Sequence, residues 1–460
     1  MSSLGNYVKN MVIEVPLCLY MLSSFLKLPV FQNLIYEKEC LLRYDQNLKF
    51  CANVSAYFDD KNIQSDANYF YFLSSLVLTI PSLITTLLLG AASDYWSLKI
   101  PLVIPYIGLL LGSINDIVQS HWIHLDVHYL LISDALFGTC GGYIAIISTS
   151  LTYGVKMSLI RHRSYRIAGI EGAIGLGGTI GYALSGTVRE ALGYANTFML
   201  ILALQVIALT YILVLAKECK YDELEPTENT NLISVTGRRL WTVIVEFYQV
   251  LTKKRRFRLL LSLNLIAFGI ELLIFSGLSD IQYSYLRYKL QWGDKKYGWF
   301  SGLTYGMTTA AVLLIYPLLR HKFFTDGVLG CLGLLSKIAS LLMFAFVQNE
   351  AMAFSISVVM MLNRFVSTGF RAFISSLLEH HEQGKIFSVI SLVEGITALV
   401  ATSTFNNLYP KTLNFFPGLL YLVSAVLLLV PLVILGLSDR TAQSESTIAY
   451  SEDVIESQEE

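Results

Sequence analysis

The chain has 460 residues, of which 54% are hydrophobic and only 15% charged, where soluble domains carry about 25% charged residues. A mean hydropathy of +0.56 excludes a water-soluble globule of this size. With 33 Lys and Arg against 34 Asp and Glu, the net charge is −1, which implies neither a nucleic acid nor an acidic partner.

Apolar runs long enough to cross a bilayer fall near 11–33, 69–92, 101–119, 129–152, 167–187 and 196–216, and again near 258–283, 298–319, 327–347, 352–372, 384–405 and 416–437. This pattern predicts an all-α membrane protein of twelve transmembrane helices. Two six-helix halves, 1–216 and 258–438, are joined by a polar cytosolic linker, 217–257. The Ser- and Glu-rich tail 439–460 is expected to be disordered. The first run carries Glu14 and Lys27 and ends without a small-residue cleavage site, so it is expected to stay in the chain as a span.

Loop charge sets the orientation. Lys156, Arg161, Arg163, Arg166, Arg238, Arg239 and the run Lys253-Lys254-Arg255-Arg256 all fall on one side. The positive-inside rule makes that side, and both termini, cytosolic. The sequon Asn53-Val54-Ser55 then lies in the first outer loop, 34–68, and predicts a glycan on Asn53. Cys40 and Cys51 share that loop, where oxidising conditions permit a bridge.

The chemistry is expected from ionisable groups inside the apolar spans: Lys27, Asp134, Glu171, Glu271, Lys337, Arg364 and Glu394, with Arg371 near a span end. Each costs about 2.5–3.5 kcal/mol on insertion scales, so they should face one another or a wet cavity. Helical phase gathers Glu171, Gly175, Gly178, Tyr182 and Ser185 on one face, and Asp134, Gly138, Gly141, Ala145 and Ser148 on another. Arg364, Thr368, Arg371 and Ser375 form a third stripe. Any one of these charges could equally lock two helices as a buried pair.

Several other patterns carry less. The Gly-rich run 172–178 follows no strand, so it reads as helix packing and not as a phosphate loop. His380-His381-Glu382 lacks metal-ligand spacing, and His121, His124 and His128 read as an ordinary polar loop. No nucleophile elbow, P-loop or zinc spacing occurs, so neither an enzyme, a metal nor a cofactor is expected. Glu228-Asn229-Thr230-Asn231-Leu232-Ile233 has the form of an acidic dileucine motif that sorting adaptors read through Leu232 and Ile233.

Six plus six spans, with Gly90-Ala91-Ala92-Ser93-Asp94-Tyr95-Trp96-Ser97-Leu98-Lys99 after the second, resemble the major facilitator superfamily. Gly90, Asp94 and Lys99 fit its loop signature, while Ser97-Leu98 replaces the usual Gly-Arg pair. The resemblance implies a conformational latch at these three residues. A narrower resemblance rests on Glu382-Gln383-Gly384, on the run from Ser403 to Pro410, on the run from Thr412 to Gly418, and on Arg166-Ile167-Ala168 with Glu171. These residues are similar to the proton-coupled folate transporter and heme carrier family, solute carrier family 46, and Glu394 is similar to its lysosomal paralogue.

That resemblance implies proton-coupled symport of small organic anions by alternating access. It places proton coupling at Glu171, with Asp134 and Glu394 as further matching acids, and solute at Arg371. As charges inside spans, Glu271 is added to the expected proton carriers, and Arg364 and Lys27 to the expected solute-binding residues. The resemblance also implies a local Cys40–Cys51 bridge, because the loop 284–297 lacks the cysteine that the folate branch uses. Plasma or endolysosomal membrane is the expected location. The alternative is a polytopic receptor or scaffold that binds a ligand without moving it.

Overall fold

In hydrocarbon each backbone N–H and C=O has to be satisfied inside the chain, so long apolar runs fold as helices. The computed structural model describes residues 12–44, 47–52, 57–95, 97–157, 163–217, 245, 258–322, 324–377 and 383–459. Among them there is no strand, and ten helices are long and apolar enough to cross a membrane. Leu176, Val214, Leu259 and Leu318 are each more than 60% exposed while Lys38, Asp116, Glu271 and Lys337 are buried. Apolar outside and charged inside is the pattern of a chain solvated by lipid. The protein is an all-α, multi-pass membrane protein.

The chain forms α1 (Glu14–Arg43), the short α2 (Leu48–Cys51), α3 (Lys61–Tyr95), α4 (Lys99–His121), α5 (Leu131–Thr139), α6 (Gly142–Lys156) and α7 (Arg163–Leu215). After the linker come α8 (Arg258–Leu290), α9 (Asp294–Ala310), α10 (Tyr316–Lys322), α11 (Asp326–Ala345), α12 (Glu350–Val359), α13 (Arg364–Ser376), α14 (Gln383–Thr412), α15 (Leu419–Leu427) and α16 (Leu429–Glu459). The 53-residue α7 is broken by a kink at Gly193, whose φ of 75° suits a residue without Cβ.

Two expectations change. The stripe from Asp134 to Ser148 is not one helical face, because the helix stops at Thr139 and restarts at Gly142. Gly141 and Gly142 take φ of 105° and 57° at the break. Thr85 and Thr86 on α3 donate to the Thr139 and Gly141 carbonyls there, at 2.9 and 3.3 Å, which satisfies backbone that lipid cannot. The tail expected to be disordered continues α16 as helix to Glu459. Beyond Gly436 it holds neither Gly nor Pro, and Gln443 ties its first turn to Asp439 at 2.7 Å.

The chain divides into two compact units that do not follow the linear halves. The first is Met1–Thr242 with Ser279–Gly306 and Thr402–Phe415; the second is Val243–Leu278, Met307–Ala401 and Phe416–Glu460. The last turns of α8, the start of α9 and the end of α14 therefore belong with the first six spans.

In the first unit, α7 is the central post. Gly177 and Gly181 lie against α1, where an added methyl would stand 2.5 Å from the Cys18 and Leu22 carbonyls. The opposite side of α7 meets α9 through Gly186, Gly298 and Gly302, and Tyr182 packs there between Phe25 and Tyr305. The glycine-rich run is thus helix packing. In the second unit, α11 and α13 cross at Gly330 and Gly369, and Phe268 stacks on Phe370.

Candidate transport site

Charges inside the first unit form three groups. Lys27 on α1 pairs with the buried Asp116 of α4 at 2.5 Å. Asp116 also accepts from Ser133 at 2.7 Å, and Ser133 accepts from Asn115 at 2.8 Å. Next to Ser133, Asp134 is 8% exposed and accepts from Ser74 at 2.7 Å. The second group is Asp280 on α8, which accepts from Thr402 at 2.6 Å and Asn406 at 3.4 Å, both on α14.

The third group closes the end of the unit that carries the Cys40–Cys51 bridge. Arg189 grips Asp294 with two hydrogen bonds, of 2.7 and 2.5 Å, and Lys295 pairs with Glu190 beside it. Tyr36 donates to Gln64 and accepts from Ser284, and Tyr283 donates to Asn33. Trp292 and Arg287 are both fully buried in this closure. On the neighbouring loop, the His128 amide and then its ring hold the Asp126 carboxyl below its usual range.

Glu171 stands apart from these groups. It is exposed and makes no ion pair or hydrogen bond among the described residues. A methyl at the next residue, Gly172, would meet nothing within 4 Å. Immediately around Glu171, α7 is therefore open among the described residues, whereas the same face is packed from Gly178 onward.

Within the second unit, Glu271 on α8 and Lys337 on α11 form a 2.5 Å pair, with side chains only 4% and 3% exposed. Arg371 on α13 pairs with Glu394 on α14, and here the side chains are 44% and 31% exposed. Arg371 Nε has no hydrogen-bond partner. Arg364 begins α13 and is half-buried. The two pairs differ in kind: Glu271–Lys337 is sealed, whereas Arg371–Glu394 is within reach of water.

At the loop signature, Lys99 reaches the Leu213 carbonyl at 2.7 Å, and Ser93 donates to the Gly90 carbonyl at 2.7 Å. The Asp94 side chain lies outside the described residues, as do Asn53, Leu232 and Ile233. Cys40 and Cys51 are bonded, tying the end of α1 to α2.

Asp116 and Asp280 went unread in the sequence although each interrupts an apolar run just as Asp134 does. Arg189, Arg287 and Asp294 carried a weaker signal, since they sit beyond the hydropathic edges of their spans. A cleft of about 360 Å³ on α7, lined by Val206, Ile207, Thr210, Tyr211, Val214 and Leu215, holds no carboxylate or cation, so it has no part in this chemistry.

A lipid-facing helical bundle with ion pairs and lone carboxylates inside defines the class of polytopic transport proteins. The Major Facilitator Superfamily model matches residues 50–402, and the chain belongs to that superfamily. Among curated relatives it is 28% identical over 391 residues to the proton-coupled folate transporter of Rattus norvegicus, covering 85% of this chain and 83% of that one. It is 26% identical over 401 residues to the lysosomal proton-coupled steroid conjugate and bile acid symporter SLC46A3 of Homo sapiens, covering 84% and 83%. The Gallus gallus form of the latter is 24% identical and covers 93% of each chain. These relatives are members of solute carrier family 46: identity is higher with the folate transporter, and coverage is widest, of the three, with the Gallus gallus lysosomal symporter.

Among solved structures, the human organic anion transporter MFSD10 superposes with a TM-score of 0.60 at 15% identity, covering 92% of this chain and 98% of that one. A POT family transporter in complex with a thioalcohol-conjugated peptide gives 0.66 at 11%, covering 93% and 96%. At such identities both report the fold alone.

Proposed function

We propose that the protein is a secondary active transporter that couples proton movement to a small organic anion by alternating access. The observation that carries this reading is the half-exposed Arg371–Glu394 pair. A guanidinium stays charged at any physiological pH, so an anionic solute and the ionised Glu394 compete for it. Solute binding then frees a carboxylate, which takes up a proton in the closing, poorly hydrated space. Glu171, exposed and without a partner among the described residues, is a second proton carrier, and Asp134 a third. This arrangement supports Glu394 as the acid exchanged at Arg371, with Glu171 acting from the other unit. Glu271, sealed against Lys337, is a weaker candidate carrier. Lys27 is committed to Asp116, which makes it a weaker candidate for holding solute than Arg371 or Arg364.

The test is uptake by proteoliposomes holding the full chain, with folic acid and taurocholate as probes, with and without a pH gradient acidic outside. Accumulation of either probe that collapses with the gradient is expected. Saturable binding with no movement of either probe would favour the receptor reading instead.

Twelve passes follow if the 47 residues of Gly169–Leu215 cross twice and α14 crosses once. With cytosolic termini, the bridged Cys40–Cys51 end is the outer or lumenal one, which is where oxidation is permitted. Glycosidase treatment is expected to raise the protein's gel mobility, and Asn53→Gln to abolish that shift. A wild type without glycan whose Asn53 loop is labelled from the cytosol would reverse the orientation. An endolysosomal location, with sorting through Leu232 and Ile233, belongs to the same proposal, and so does a latch at Gly90, Asp94 and Lys99.

A further inference from the structure

Arg287, on the last turn of α8, is fully buried and takes no part in the chemistry above. None of its three guanidinium nitrogens has a hydrogen-bond partner. Two ring faces hold it instead, Tyr36 at 4.0 Å and Tyr57 at 4.8 Å from the guanidinium carbon. The cage hydroxyls are already engaged. Tyr36 donates to Gln64 and accepts from Ser284, and Tyr57 donates to the Cys51 carbonyl at 3.1 Å. Burial pushes the Tyr57 hydroxyl up, well above its usual range, so it supplies no counter-charge. The acids of the same closure are engaged too, Asp294 by Arg189, Glu190 by Lys295, and the buried Glu37 by the Tyr194 hydroxyl.

A guanidinium carries five donors and does not give up its proton. An apolar side chain of similar volume would fill this cage without leaving donors unmet. The cage therefore suits a cation that is stored for a partner absent from the closed state. Tyr36 and Tyr57 come from α1 and from the segment after α2, whereas Arg287 comes from α8. Parting those segments opens the outer end and uncovers the guanidinium facing the outer medium.

We propose that Arg287 is the entry-side anion receptor, caged between Tyr36 and Tyr57 while the outer end is shut and freed on opening to pair with the carboxylate or sulfonate of an incoming organic solute. This rests on the reading that the solute is an organic anion. It adds a second anion site, distinct from Arg371, that acts on one side of the membrane only.

The test uses the full chain with Arg287→Met and Arg287→Lys, and taurocholate and folic acid as probes. Half-saturation for entry from the outer side is expected to rise at least tenfold in Arg287→Met and to stay within threefold in Arg287→Lys. Half-saturation from the cytosolic side is expected to stay within twofold in both, and the thermal midpoint of Arg287→Met to equal or exceed that of the wild type. An unchanged outer half-saturation, or an equal rise on both sides, would overturn the proposal; so would a lowered midpoint with unchanged affinity, which marks a purely structural cation.

A second readout needs no net transport. Ser284→Cys, beside the cage, is labelled from outside with a membrane-impermeant thiol reagent. Taurocholate or folic acid is expected to slow labelling when Arg287 is present and to have no effect with Arg287→Met. Labelling that neither probe slows would overturn the proposal. Protection without transport of either probe would leave it standing while removing the transport reading.

Discussion

Glu271→Leu is expected to lower the stability of the purified protein by about 3–5 kcal/mol, the usual cost of stranding one charge of a buried pair. The two side chains are almost fully enclosed and meet at 2.5 Å, so the lone Lys337 ammonium would have neither water nor a counter-ion. Lys337→Met should cost less, because the stranded Glu271 carboxyl can take up a proton and become neutral. The double variant Glu271→Leu/Lys337→Met should recover most of the loss, since an apolar pair of similar volume removes both desolvation terms. Thermal or denaturant unfolding in one detergent measures all three. The same series decides a functional question. If Glu271→Gln keeps the wild-type midpoint yet loses pH-driven accumulation, Glu271 is a proton carrier and not a helix lock.

Glu171→Gln is expected to leave a folded, glycosylated protein that exchanges solute across the membrane at equilibrium. It should lose accumulation driven by a pH gradient, a drop of tenfold or more in the steady-state ratio for a tenfold gradient. Glutamine mimics the protonated acid, so the cycle proceeds without carrying a proton. Stability should hardly change, because Glu171 is exposed and has no partner among the described residues. Arg371→Ala should instead weaken anion binding at every pH, since the guanidinium does not titrate. Normal pH-driven accumulation by Glu171→Gln at normal surface abundance removes Glu171 from coupling and leaves Glu394 and Asp134.

Much of the architecture was legible because lipid enforces it. A long apolar run has few folded forms other than a helix, and an ionisable residue inside one has to face inward. That logic located Glu271 and Lys337 without pairing them, because pairing depends on how α8 and α11 rotate and cross. It likewise located Arg371 and Glu394 separately. Helical phase failed for the fourth run, where Asp134 and Ser148 were placed on one face. Phase assumes an unbroken helix, and positive φ at Gly141 and Gly142 is a local choice that the apolar pattern does not record.

The closure that Arg189, Asp294, Tyr36 and Arg287 build was the least legible part. Its residues are polar and lie beyond the hydropathic edges of their spans, so a window that reads apolarity counts them as loop. They came together only when the last turns of α8 and the start of α9 were found packed with the first six spans. The division 1–216 and 258–438 describes the covalent order, whereas the compact units describe which segments pack together.

Trp292 gives this closure an optical signature. Its indole is wholly excluded from solvent and lies against Phe300, while Trp122 and Trp299 are about half exposed. An indole that moves from an apolar cage into water emits at longer wavelength and becomes accessible to aqueous quenchers. Each opening of the outer end would thus register in the protein's own fluorescence. Stopped-flow mixing with acid or solute could then time that opening in the unlabelled chain, once the other four tryptophans, Trp96, Trp122, Trp241 and Trp299, have been replaced by phenylalanine.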